Sequence, residues 1–538
     1  NKGGQIVVDV DKTTYPEGVV ELDLSNASIS NDTVAPIYVA SIGDEVQIVA
    51  KSGTVNTVSD GTSHTDTYTD SDGNTNQINS AIFARDDIKI KGSGTLTVNG
   101  NTEDGIVSKN DIKIYNGNIT VNAVDDAIRG KDSVTIGNAD NTDFSTLNLT
   151  VKSESGKGIK SNETDDETKG FITINGGTVS VTSYSDAIHA SRNLTVNGGT
   201  IDITTTCPAS SSGGNSGWGG NPGGGFGGWE DGNSSSTSES AKGLKAGVTD
   251  DTTGTATDGA ITINGGDITI TSTDDSIHAS GTISINDGSM TLSTGDDGIH
   301  SDTKVVIGIE GKGFDAPYVD IIKSYEGVEG VDVEVNSGTI LVTSSDDGYN
   351  AAGGTDNSGN QQPGGWGQGG MGGGSQTLVF NGGYTYVNAS GDGLDSNGTL
   401  TVNGGYIFVS QTGGGNSPID CDTTWNYNGG TVIAGGSSDM FSESIPASYA
   451  VCNRSASIGA GTTVTLADDS GNVIGTMDFV NSAAAIVLCG DGTKAYTGGT
   501  LNGTTYFESG KNNLKAGYGG TISGGTEITS NTSGGGRW

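Results

Sequence analysis

The chain has 538 residues, 64 of them Asp or Glu against 25 Lys or Arg, for a formal net charge of −39 at pH 7. So acidic a surface argues against nucleic acid or an anionic membrane as partner and for multivalent cations. Only 31% of residues are hydrophobic and 92 are Gly, no apolar run approaches the roughly eighteen residues of a membrane span, and such a composition leans to disorder unless a repeat supplies order.

A repeat supplies it. Residues 1–60, with GQIVVDV and PIYVASIGDEVQIVA, read as the first coils of a solenoid. From Ser80 a five-residue unit recurs: a charged residue, a small one, an aliphatic or aromatic one, a variable one and a small one. An early copy is SAIFA at Ser80, followed by DGIVS at Asp104, DAIRG at Asp126, KGIKS at Lys157, DAIHA at Asp186 and KGLKA at Lys242. The series continues with DSIHA at Asp275, DGIHS at Asp297, EGVEG at Glu326, DGYNA at Asp347 and DGLDS at Asp392, and SPIDC at Ser417 is a degenerate last copy. The closest copies start 21 or 22 residues apart. Removing the Gly-rich tract 207–239 reduces one 56-residue step to 23, and removing 353–375 reduces a 45-residue step to 22. Both tracts therefore read as loops inserted into a regular scaffold. Exposed tryptophans among their glycines, Trp218, Trp229 and Trp366, suit stacking on sugar rings.

Between the corners lie NGGTVSV (175–181), NGGTIDI (197–203), NGGDITI (264–270), NGGYTYV (381–387) and NGGYIFV (403–409). Asn-Gly-Gly supplies the positive φ of a tight turn, and the alternating Val, Ile and Thr that follow form a short strand with every second side chain inward. Strands this short do not make stable hairpins, but they stack in parallel on equivalent strands one coil away. Residues 1–446 are therefore expected to form an all-β parallel β-helix, a solenoid of about twelve or more coils at about 4.8 Å each, on the order of 60 Å long. Beyond residue 446 the corner motif is lost, and 447–538 read as a small C-terminal β cap or β-domain with a loose tail. Of the four cysteines, Cys207, Cys421, Cys452 and Cys489, the last two share this segment and are the pair an oxidising compartment would link.

Stacking turns corner residues into ladders. Ile277 points inward, Asp275 lies at the bend and His278 is expected to point out. Carboxylates about 4.8 Å apart repel by roughly 1 kcal/mol in water and roughly 3–4 kcal/mol at an effective dielectric of 20. Asp274, Asp275, Asp296 and Asp297 bring four together with no lysine at those rungs. Clustered oxygens suit Ca²⁺, and the doublets Asp346–Asp347 and Asp125–Asp126 are the next candidates. The bland alternative is that each Asp caps its own turn. Elsewhere Lys157 and Lys242 alternate with aspartates and would neutralise them without metal. Arg129, Lys160 and Lys245, beside Lys157 and Lys242 and in one ladder with His189, make a basic stripe suited to an extended polyanion, or else merely balance the aspartates. His189, His278 and His300 share a repeat position, but a ladder spreads its members along a rod. They read as a solvated face and not as a zinc site or an acid–base pair.

The strings DGIVSKNDIKI, DDAIRGKDSVTI, GKGIKSNETDD, TINGGTVSVTS, AKGLKAG, DDSIHASGTISI, DDGIHSD, KSYEGVEG, DDGYNAAGG and GDGLDSNGTLTVNGG resemble, in the same order, a family of secreted bacterial carbohydrate-binding proteins. The resemblance covers roughly residues 5–440. It implies a pectate-lyase-like right-handed β-helix that binds calcium at aspartate corners and acidic plant polysaccharide such as polygalacturonate, with cellulose a ligand of some members. Family members carry further strands ahead of the segment equivalent to GQIVVDV. An uncapped first coil would leave backbone groups unpaired and invite head-to-tail self-association into a filament.

The expectation is a non-catalytic, calcium-dependent, extracellular or cell-surface binder of acidic polysaccharide. One rival is a structural subunit of a filament or surface layer. The other is a polysaccharide lyase in which Lys160 or Lys245 abstracts the proton that Ca²⁺ acidifies.

Overall fold

The computed structural model describes residues 3–70, 73–141, 143–208, 240–248, 259–352, 374–442 and 445–531. Every regular element among them is a β-strand, and none is a helix long and apolar enough to cross a membrane. A coil contributes three short strands, as in Ile277–Ala279, Ile283–Ile285 and Ser289–Ser293. Each pairs in parallel with its counterparts in the coils before and after: Ile277 lies between Leu244 and Ile299, Ile283 between Ile261 and Val305, and Met290 between Ile268 and Val319. The chain is a parallel β-helix.

The core is a stack of equivalent side chains. Ile37, Ile82, Ile106, Ile128, Ile159, Ile188, Leu244, Ile277, Ile299, Val328, Tyr349, Leu394 and Ile419 follow one another in register, each with 0% exposure. Ile188 pairs directly with Leu244 and Tyr349 with Leu394, so the chain returns to the next rung after each Gly-rich tract. Most of those tracts, with Trp218, Trp229 and Trp366, lies outside the described residues.

The turn before the third strand explains its motif. The second glycine of each Asn-Gly-Gly takes a positive φ, 97° at Gly177, 106° at Gly199 and 85° at Gly405, a region that side chains with a Cβ disfavour. The asparagine has a separate role. Asn197 donates Nδ2–H to Asn175 Oδ1 at 2.9 Å, Asn264 to Asn197 at 2.9 Å and Asn286 to Asn264 at 2.9 Å. A second run links Asn381 to Asn336, Asn403 to Asn381 and Asn428 to Asn403, each at 2.8 Å. The stacked coils are thus tied outside the core by amide ladders.

The C-terminal residues close the solenoid in antiparallel fashion. Thr431–Gly436 pairs antiparallel with Ala485–Cys489, and a six-stranded antiparallel sheet follows. This segment docks on outward-facing aromatics of the last coils. The rings of Tyr384 and Phe507 stack at 3.9 Å, and Tyr386 donates its hydroxyl to the carbonyl of Asp478 at 2.5 Å. All four cysteines are free thiols, so the expected Cys452–Cys489 link is absent; Cys452 lies opposite Val487 and Cys489 opposite Val432 in the antiparallel pairing.

Because every rung is sandwiched between two others, a cavity at one cannot collapse without disturbing both neighbours. Ile188→Ala should cost about 2–5 kcal/mol, measured by denaturant unfolding. A loss below about 1 kcal/mol would contradict the ladder.

Candidate functional site: the ladder of corner charges

The corner ladders run in the expected register. Val107, Arg129, Lys160, His189, Lys245, His278, His300, Glu329, Asn350 and Asp395 are consecutive partners in the corner strands. Three residues before each lies the corner residue, and where that residue is Asp its carboxylate does two things.

One oxygen caps the next coil. Asp104 Oδ1 accepts the backbone N–H of Asp126 at 3.1 Å, Asp126 that of Lys157 at 3.0 Å, Asp186 that of Lys242 at 3.1 Å, and Asp275 that of Asp297 at 3.0 Å. Asp297 does the same for Glu326 at 3.1 Å and Asp347 for Asp392 at 2.5 Å. The turn-capping alternative is thus correct in part, but the cap reaches across to the following coil.

The second oxygen faces an arginine or lysine of the protein itself as far as Asp275, and at Asp297 it faces the imidazole of His300. Asp104 Oδ2 meets Arg129, and Asp126 Oδ2 meets Lys160 at 3.2 Å. Asp186 Oδ2 meets Lys157 at 3.0 Å and Lys245 at 3.5 Å, and Asp275 Oδ2 meets Lys242 at 2.5 Å. Lys242 also reaches Asp274 at 3.1 Å. This corrects the expectation of no lysine at the doublet 274–275, because the long Lys242 side chain one rung earlier bridges the coil spacing; at the doublet 296–297 the ion pair is to His300. Burial works against ionisation of Asp186 and Asp275, yet the adjacent lysines hold both carboxyls well below the ordinary range.

The histidines are not a solvated face. His189, His278 and His300 are only 7%, 7% and 3% exposed. The corner strands of His189 and His278 are three residues long, whereas that of His300 runs on from Ile299 to Ile307, and in all three the ring turns back onto the carboxylate three positions earlier. His189 Nδ1 lies 3.2 Å from Asp186, His278 Nδ1 3.1 Å from Asp275 and His300 Nδ1 3.4 Å from Asp297.

Beyond that rung the protein's own cations run out. No Lys, Arg or His occurs between Lys323 and Arg454, whereas thirteen Asp and Glu do. Burial, then the charges of Asp392 and Asp346, push the Asp347 carboxyl up to about 8. Burial and neighbouring acids also drive Glu326 and Asp395 well above their ordinary values. Among the described residues no basic side chain pairs with Asp346, Asp347 or Asp395. Asp296 is likewise pushed up to about 8, by burial and then by Asp297, Asp275 and Asp274. The absence of bases across the last coils was readable from composition by segment, and it singles out Asp392, Asp395, Asp420 and Asp422, which the motif reading left aside.

The basic stripe is assembled but engaged. Asp125, Asp126, Lys157 and Lys160 border a shallow groove of ≈ 280 Å³. Each described basic residue of the stripe, Arg129, Lys157, Lys160, Lys242 and Lys245, already touches a corner carboxylate.

Fold and site together define a β-helix with one corner built, from Asp104 to Asp392, of stacked charged residues, carboxylates at all but the Lys157 and Lys242 rungs. The chain belongs to the family of carbohydrate-binding domain-containing proteins, which matches residues 1–298 and 251–361. A carbohydrate-binding domain-containing protein of Acetivibrio thermocellus is 43% identical over 120 residues, 22% of this chain and 39% of that protein. The chain thus spans about two-fifths of the length of that curated relative. Among solved structures, that of the polysaccharide lyase-like protein from C. thermocellum, a gadolinium derivative, aligns at 34% identity with a TM-score of 0.33, covering 38% of this chain and 75% of that one.

Asp186 isolates the role of a corner carboxylate. Asp186→Asn removes the fully buried carboxylate that the part-buried Lys157 and Lys245 both face and should cost about 3–5 kcal/mol at pH 7. The native carboxyl is depressed, so its contribution is present above about pH 4 and lost as pH falls through the lower folded value. The gap between variant and wild type, followed by denaturant unfolding, should therefore narrow below about pH 4.

Proposed function

We propose that the chain is a non-catalytic, calcium-dependent binding protein for acidic, polygalacturonate-like polysaccharide, acting outside the cell. The observation that carries this reading is the base-free run of stacked carboxylates in the last coils. Like charges at about the strand spacing of 4.8 Å repel unless a cation lies among them, and among the described residues no basic side chain pairs with Asp346, Asp347 or Asp395.

The donor set fits calcium. It consists of carboxylate oxygens, the ligands Ca²⁺ prefers at six to eight per ion. Asp346 Oδ1 and Asp347 Oδ1 converge over Gly391, where a Cβ would collide with both. Of the doublets, Asp346–Asp347 fits best, with Asp392 and Asp395 one coil on. Asp274 and Asp275 bring their oxygens within 4.8 Å of one another and of Asp296, but Lys242 already stands where an ion would. Asp296–Asp297 is divided between the acidic cluster and His300, and Asp125–Asp126 is shared with Lys160 and Arg129. Calcium held by a few corner oxygens keeps positions for carboxylates of a polyuronate. The stripe from Arg129 through Lys157, Lys160, His189, Lys242 and Lys245 would continue the track along the rod.

The lyase alternative needs a base beside the ion. Lys160 and Lys245 stand six and four rungs from Asp347 in the corner ladder, about 29 and 19 Å at the coil spacing. Where Lys160 does lie beside a doublet, its nitrogen is bonded to Asp126 at 3.2 Å. Neither is presented to a bound uronate as a base.

Calcium at about a hundred times its Kd should stabilise the fold by about 2.7 kcal/mol per site, seen as a rise in Tm that a chelator reverses. Asp346→Asn with Asp347→Asn should remove much of that rise, whereas an undiminished rise would place the ion elsewhere. Polygalacturonate should bind in calcium and be released by chelator. Calcium-dependent growth of unsaturated-product absorbance would refute the non-catalytic reading.

A further inference from the structure

The rung at which lysines give way to bare carboxylates holds a group of different chemistry. His300 is 3% exposed, and neither ring nitrogen has a hydrogen-bond partner among the described residues. Its Nδ1 faces Asp297 Oδ2 and Glu329 Oε2, each at 3.4 Å, with Asp275 Oδ2 further off at 3.8 Å. The ligand atoms of His300, Asp297 and Glu329 lie within 4.8 Å of one another. The other oxygen of Asp297 is taken by the N–H of Glu326, which fixes the direction of Oδ2. On the far side of the ring Nε2 faces Asp302 Oδ1 at 3.7 Å.

Separations of 3.4 Å are too long for N–H···O hydrogen bonds, which run about 2.7–3.2 Å. They match the edge of a tetrahedron around one ion. With ligand bonds of about 2.0–2.1 Å, as at zinc, adjacent ligand atoms stand about 3.3–3.4 Å apart. Asp302 stands on the side from which a carboxylate usually orients a metal-bound histidine, and its 3.7 Å separation from Nε2 would have to shorten to form that hydrogen bond. The adjoining triplet of Asp275, His278 and His300 is the weaker candidate, because Lys242 sits 2.5 Å from the Asp275 oxygen that would ligate.

We propose that His300 Nδ1, Asp297 Oδ2 and Glu329 Oε2 form a site for a divalent first-row metal ion of the zinc class, with Asp302 as the positioning carboxylate. An imidazole donor selects this class over calcium, which takes oxygen. Three protein ligands leave one position for water. The ion would supply the positive charge at the rung where the lysines end. The proposal rests on this geometry and is independent of the carbohydrate reading.

Co²⁺ alone, titrated into the full metal-stripped chain in the presence of calcium, is the probe. The expected result is one Co²⁺ per chain with the intense visible bands of four-coordinate cobalt, displaced by Zn²⁺ and not by Ca²⁺. His300→Gln and Glu329→Gln should each abolish those bands while far-UV circular dichroism stays unchanged; the second variant serves if the first does not fold. Asp302→Asn should weaken affinity by about 10–100-fold. His189→Gln, at a ladder position whose Nε2 bonds the carbonyl of Gly247 at 3.0 Å, should leave the spectrum unchanged. Absence of four-coordinate bands in the wild type, or undiminished bands in folded His300→Gln or Glu329→Gln, overturns the site.

Discussion

Parallel stacking sets each residue of a coil directly above its counterpart, about 4.8 Å away. For apolar side chains this repetition is wholly favourable. Each isoleucine of the ladder from Ile37 to Ile419 buries its surface on the ones above and below. For charged side chains the same repetition is a liability, since a carboxylate at the bend of one coil meets another at the bend of the next. The corner motif reconciles the two by spending one carboxylate oxygen on the backbone of the next coil and leaving the other to find a cation.

The source of that cation changes along the rod. In the coils from Asp104 to Asp275 arginine and lysine provide it, each reaching across the coil spacing to a buried carboxylate. At the next rung the corner position holds His300, set among Asp297, Glu329 and Asp302. Between Lys323 and Arg454 the chain carries acids and no Lys, Arg or His. One corner ladder therefore presents three electrostatic environments in sequence, and these environments, more than any single motif, decide which ligands each stretch can hold.

Much of this was legible in the sequence, and the limits have physical reasons. The inward ladder could be read because a repeat that must bury one residue per coil shows it as Ile or Leu at fixed spacing. The corner register followed from the same spacing. The burial of His278 could not be read, because strand alternation gives the direction in which a side chain leaves the backbone and not where a ring folds after a three-residue strand ends. Nor could the lysine bridge from Lys242 to Asp275, which depends on the reach of a flexible side chain. Asn-Gly-Gly was read for its glycines, while the amide ladder of its asparagines appears only once the coils are stacked. At Tyr384, Tyr386 and Phe408 aromatics replace the polar residues of equivalent outward positions such as Thr178 and Ser180. That change signalled a covered face, which the C-terminal segment provides.

The central claim is that metal ions stand where the protein's own cations stop. Anomalous scattering from crystals grown in calcium tests it most directly, because it locates each ion independently of the chain. The account predicts a calcium peak at the Asp346–Asp347 corner and none beside Lys242. A peak at Asp274–Asp275 in place of Lys242, or no peak anywhere among the base-free coils, would contradict it.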